Sequence, residues 1–139
     1  MAEAYLDVFA AGWGGPGADI TAGAYAISRT LAIRQTTWLS PELGSTWYLP
    51  GANHVLLDRR PFAESTVTTA GPARWYRLDL TALVKQWLDG STANNGVLLR
   101  CESCAGSPLP GYLCTNTFAF ASSENSDPGR WPRLVVRYE

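Results

Sequence analysis

Three cysteines fall close together in the chain, as Cys101-Glu102-Ser103-Cys104 and then Cys114 after nine intervening residues. A Cys-x-x-Cys pair can hold zinc, cycle between thiol and disulfide, or staple a loop. Zinc needs a fourth ligand, and His54, the only histidine, is remote in sequence. Redox chemistry needs the pair at the start of a helix, whereas here the strand through Val97-Leu98-Leu99 ends at Cys101 and a loop follows. A structural disulfide across residues 105–113, a stretch with Pro108 and Pro110, fits better and implies an oxidising compartment. Two pairings are open. Cys101 with Cys114 is preferred, because it ties the ends of consecutive strands. Cys104 with Cys114 would leave Cys101 as a buried thiol on the face of Val97 and Leu99. Either way one cysteine is left over, buried or able to link two chains.

Catalysis is hard to assemble from the other reactive groups. His54 lies in the loop Pro50-Gly51-Ala52-Asn53-His54 with no nucleophile motif around it, and reads as a surface histidine. Asp58, Glu64, Asp79 and Glu124 are conceivable carboxylates for glycoside hydrolysis, but no spacing brings two of them together. The expectation is a protein that is not an enzyme, with no metal and no cofactor. A structural calcium ion, held by carbonyls and an Asp at a sheet edge, is compatible with a jelly-roll module, but no Asp-rich loop demands one.

Aromatic and arginine side chains are the better candidates for contact with a ligand. Trp13 sits among glycines, Trp47 and Tyr48 are adjacent in a loop, Trp131 follows Arg130, and Trp75 shares one strand face with Arg77. Sugar C–H faces stack on such rings, and sugar hydroxyls or carboxylates suit guanidinium forks. Trp38 and Trp87 read as core instead.

The elements that carry these residues are short. At 139 residues and a formal charge of −1 the chain fits one domain over residues 1–139 and offers no basic stripe for nucleic acid. Lys85 is the only lysine, and no apolar run is long enough to cross a membrane. Met1-Ala2-Glu3-Ala4 does not resemble a signal peptide, and so abrupt a start suits a piece cut from a longer secreted protein.

Frequent Gly and Pro between Thr-, Val-, Trp- and Tyr-rich runs predict many strands and turns. Tyr5, Asp7 and Phe9 alternate with Ala4, Leu6 and Val8, as on a strand with two different faces. Further strands are expected at residues 21–28, 31–38, 75–80, 97–99, 118–124 and 133–138, with flexible or long connections at 12–17 and 41–51. In 75–80 the core face is Tyr76, Leu78 and Leu80, and the other is Trp75, Arg77 and Asp79. One helix is predicted at residues 81–89, opened by Thr81 or Asp79 and closed by Gly90, with Leu83, Val84, Trp87 and Leu88 on one face and Trp87 as anchor. Together these elements predict an all-β antiparallel sandwich of jelly-roll type with one short helix at one end.

The order Asp79-Leu80-Thr81, the helix with Val84, Gln86 and Trp87, the turn Asn95-Gly96, the strand Phe120-Ala121-Ser122-Ser123-Glu124 and the close Arg130-x-Pro132-x-Leu134-x-Val136-x-Tyr138 resembles the DNRLRE (disaggregatase-related) family. The resemblance runs from about residue 4 to the end. It departs from the family pattern in lacking opening strands and in carrying the cysteine-bearing insertion. It implies a carbohydrate-binding module of the kind found beside polysaccharide-degrading enzymes. The expected function is a non-catalytic, extracellular or cell-surface module binding a polysaccharide, with an acidic glycan as first choice. The alternative is a structural subunit of a surface assembly, completed by copies of itself where opening strands are missing.

Overall fold

The alternation around residue 76 is realised as an edge strand whose two faces see different surroundings. In the computed structural model Tyr76, Leu78 and Leu80 are buried while Trp75, Arg77 and Asp79 are exposed, as the sequence predicts. The structure describes residues 1–14, 19–104 and 117–139, with residues 103 and 104 described by backbone alone. It contains seven strands among these residues: β1 (Glu3–Gly14), β2 (Ile20–Ala26), β3 (Ser65–Thr68), β4 (Arg74–Asp79), β5 (Val97–Cys104), β6 (Thr117–Phe120) and β7 (Arg133–Arg137). One α-helix, α1 (Thr81–Leu88), and a 3-10 turn at Pro128–Arg130 complete them.

The strands form two antiparallel sheets, so the expected all-β sandwich class with one short helix holds. One sheet has the order β4-β1-β6 with β7 also on β1; the other has the order β3-β2-β5. β1 is long enough to serve two partners on one side. Its Glu3–Asp7 half pairs with β7 and its Ala10–Gly14 half with β6, while β4 runs along Tyr5–Ala10 on the opposite side.

The chain divides into two compact units, Met1–Gly23 with Ser65–Thr81 and Arg100–Glu139, and Ala24–Glu64 with Ala82–Leu99. In the first unit Ala4, Val8, Ala10, Tyr76 and Leu78 are buried, and the rings of Tyr76 and Phe120 meet edge to face at 6.4 Å. Thr81 clasps the start of β1, its hydroxyl bonding both the N–H and the carbonyl of Ala4. Asp79 accepts the Thr81 N–H at 2.8 Å and so opens the helix. The Thr81 hydroxyl and N–H hold the Asp79 carboxyl below its ordinary range.

In the second unit Ile27, Trp47 and Ala52 form a core joined by Leu31 and Leu98. Of the helix, Leu83 and Val84 are buried, and Gly90 closes it at φ +77° as predicted. Trp87 is only half-buried and Leu88 is 59% exposed, so Leu83 and Val84 anchor the helix rather than Trp87.

Residues 31–38 form turns rather than the expected strand. The Thr36 hydroxyl donates to the carbonyls of Ala32 and Pro41, and the Thr37 hydroxyl accepts the N–H groups of Leu39 and Ser40. Hydroxyls that satisfy nearby backbone remove the need for a ladder partner. β3, four residues long, lies outside the strands that the sequence predicts.

Candidate functional site

The exposed face of the β4-β1-β7 ladder carries the densest set of groups able to meet a ligand. Cross-strand register decides it. Opposite β1, Phe9 faces Trp75, Asp7 faces Arg77 and Tyr5 faces Asp79 on β4, while Asp7 faces Arg133 and Glu3 faces Arg137 on β7. A period of two on each strand therefore collects Glu3, Tyr5, Asp7, Phe9, Trp75, Arg77, Arg133 and Arg137 on one surface.

The arginines sit on the rings. The Arg77 Cζ lies 3.5 Å from the centroid of Tyr5, with Arg137 over the same ring at 5.5 Å. Arg133 is over Trp75 at 4.3 Å, Arg130 is over Phe9 at 4.9 Å, and Phe9 meets Trp75 edge to face at 5.4 Å. Such pairs set the positive guanidinium against the negative face of the ring. They also cover the rings, and Tyr5 is buried although its strand face points outward.

Carboxylates neutralise most of these cations. Asp7 grips Arg77 with both oxygens, at 2.8 and 2.9 Å, and its hydrogen bond pushes the Arg77 guanidinium further up from its ordinary value. Arg137 meets Glu3 at 2.7 Å and Arg130 meets Asp127 at 3.1 Å. Arg133 is different. It donates to the Gly129 carbonyl at 2.6 Å and has no carboxylate within ion-pair distance among the described residues. Beside Tyr5, Glu3, Ala4, Arg77, Asp79 and Thr81 line a depression of about 140 Å³. That is below the several hundred cubic ångströms typical of small-molecule pockets, so a ligand would lie along this face rather than sink into it.

The site residues expected from sequence are partly brought together. Trp75 and Arg77 are on this face, and Trp131 follows Arg130 directly, 39% exposed with its ring N–H donating to the Asn125 carbonyl at 2.8 Å. Trp13 is elsewhere. It lies within β1, not in a loop, and a register shift between Ala10 and Gly12 sets it opposite Phe118. Phe118 shares its side of β6 with Phe120, so the bulge moves Trp13 off the Phe9 face.

Trp47 is 6% exposed in the core of the second unit, its ring N–H donating to the Thr37 carbonyl, and so cannot serve as a platform. Tyr48 is 60% exposed there, with Arg29 over its ring at 5.2 Å. Trp38, expected in the core, is 71% exposed and lies against Gly51. Sequence reasoning missed Tyr5, Asp7, Phe9, Arg130, Arg133 and Arg137. The Tyr5-x-Asp7-x-Phe9 and Arg133-x-Val135-x-Arg137 alternations were visible, but their pairing was not.

Two of the carboxylates considered for chemistry, Asp58 and Glu64, have structural partners. Asp58 is fully buried and accepts the N–H groups of Tyr48, Leu49 and His54, with Arg29 at 3.7 Å. Burial pushes its carboxyl up, but those N–H groups and the Arg29 charge outweigh burial and hold it below its ordinary value. Glu64 pairs with Arg60, which also bridges Gln86 and Thr92. Glu124 is exposed in the turn after β6. His54, half-buried rather than on the surface, packs its ring 5.8 Å from that of Tyr48.

Cys101 is exposed and Val97 and Leu99 are only half-buried, so the inward thiol that goes with the Cys104–Cys114 alternative is not realised. Cys114 and the Cys104 side chain lie outside the described residues, and both disulfide pairings with them. No group of three or more candidate metal ligands occurs among the described residues, and none of their helices is long and apolar enough to cross a membrane. No protein-family model, curated protein or solved structure matches the chain.

Proposed function

We propose that the protein is a non-catalytic, extracellular or cell-surface module that binds an acidic polysaccharide along the β4-β1-β7 face. The observation that carries this reading is Arg133. Its guanidinium lies over Trp75, a ring 37% exposed, and no carboxylate of the described residues neutralises it. A uronic-acid unit has an apolar ring face and a carboxylate edge. Trp75 suits the first, and Arg133 suits the second. The rest of the ladder holds these groups in place, because Arg77, Arg130 and Arg137 are each pinned to a carboxylate.

The resemblance drawn from the sequence supports the same class of ligand. Calorimetry against uronic-acid polymers and neutral glycans tests it. Binding to the acidic polymers, weakened by salt as screening requires, is the expected result. Lack of binding across the whole panel overturns the proposal.

A further inference from the structure

One tryptophan of the second unit is both exposed and firmly seated. Trp38 is 71% exposed, yet the buried Trp47 pins the backbone on either side of it. The Trp47 ring N–H donates to the Thr37 carbonyl, and its backbone N–H donates to the carbonyl of Leu39. The Trp38 carbonyl itself accepts the Gly51 N–H at 2.6 Å. The ring in turn rests on Gly51. A Cβ built there would be equally close to Cη2 and Cζ3 of the indole and 2.9 Å from Cε3. An approach along the ring plane would leave Cε3 well behind the other two atoms, so Gly51 meets the ring from one face. Only a residue without a side chain lets the indole lie down there.

The opposite face is open. No other ring and no guanidinium stacks on Trp38 among the described residues, and its ring N–H has no hydrogen-bond partner among them. The two chain segments that meet here, residues 37–41 and 49–53, contain no charged residue. These features select the ligand. A ring seated on one face can stack on a flat apolar surface but cannot insert into a partner's pocket, where an anchor residue is enclosed on all sides. An uncharged surround gives an ionic ligand no counter-charge, and the indole N–H calls for an acceptor oxygen at the ligand's rim. A neutral pyranose with its substituents equatorial meets all three conditions, with C–H groups on its face and hydroxyls around its edge.

We infer that Trp38 is a second stacking platform, which takes a neutral glycan of β-linked, all-equatorial pyranose units. It uses no residue of the arginine-bearing face and does not rest on what that face binds. Because the ring and its turn are already in place, binding orders little of the protein.

Titration of the full chain with cellohexaose and with laminarihexaose tests it, followed by calorimetry and by NMR of the indole N–H signals. The Trp38 signal is the one lost in Trp38→Phe. A Kd of about 1 mM or tighter is expected for at least one of the two, unchanged between about 50 and 500 mM salt because no ion pair forms. Trp38→Ala should weaken binding roughly tenfold or more while circular dichroism and Tm hold. Leu43→Ala, a change at another exposed residue of the same unit, should leave binding as it is. Should Trp38→Ala misfold, the movement of the Trp38 signal in the wild-type protein decides. Failure of both glycans to bind overturns the inference, even where an acidic polymer binds the arginine-bearing face in a salt-sensitive manner. So does binding that leaves the Trp38 signal still, or a proline-rich peptide that moves this signal when neither glycan does.

Discussion

The Arg77 guanidinium lies 3.5 Å from the centroid of the Tyr5 ring while two of its nitrogens bond the two oxygens of Asp7 on the same strand as Tyr5. Residues two apart on β1 thus hold one side chain of β4 from below and from the side. The geometry requires a planar fork: an ammonium can keep the charge but cannot both stack and bond bidentately. Arg77→Lys should therefore lower Tm by nearly as much as Arg77→Ala. A Lys variant with wild-type Tm in scanning calorimetry would show that charge alone mattered.

Asp58 ties the loop over residues 48–58 through three backbone N–H groups, and its folded pKa is depressed. A depressed carboxylate contributes stability that is fully present above its unfolded pKa, near 3.9, and is lost as pH falls through the folded value. Urea denaturation midpoints should therefore drop below about pH 4 in the wild type. Asp58→Asn should cost about 2–4 kcal/mol at neutral pH, because it removes the charge and leaves buried donors poorly paired, and should flatten this part of the acid dependence. An unchanged acid limb in the variant would count against this role.

Gly51 and Gly90 have nearly the same backbone, φ +76° and +77°, but a Cβ at Gly51 would come within 2.4 Å of the Trp38 ring whereas Gly90 faces open space. Gly90→Ala should cost about 1 kcal/mol from the left-handed conformation alone. Gly51→Ala should cost about 1–3 kcal/mol more, because Trp38 must move. A shifted tryptophan emission in Gly51→Ala only, alongside equilibrium unfolding of both, checks the comparison.

For the proposed ligand face, Arg133 and Arg130 make a matched pair, since both lie over a ring but only Arg130 has a carboxylate partner, Asp127. Arg133→Ala should weaken binding of an acidic polymer roughly tenfold, as loss of one charged hydrogen bond does. Arg130→Ala should change it less. Equal losses in titration calorimetry would contradict the assignment of Arg133 as the ligand's cation.

Local rules made the all-β class, the faces of residues 75–80, the helix start at Asp79 and Thr81 and its stop at Gly90 readable from sequence, because period-two burial, capping chemistry and a left-handed glycine are decided within a few residues. Residues 31–38 were misread because threonine hydroxyls, which favour strands on average, here satisfy nearby carbonyls and N–H groups. Trp47 and Trp38 exchanged their expected places: whether an aromatic ring is covered depends on which turns fold over it, and the sequence does not state that. The ligand face was half legible. Trp75 and Arg77 declared a shared side, but Arg133 reaches Trp75, and Arg77 reaches Tyr5 and Asp7, only through the register of β4 and β7 on β1. A slip of one residue in either pairing would put the charges on the buried face, so the tertiary pairing decided the site.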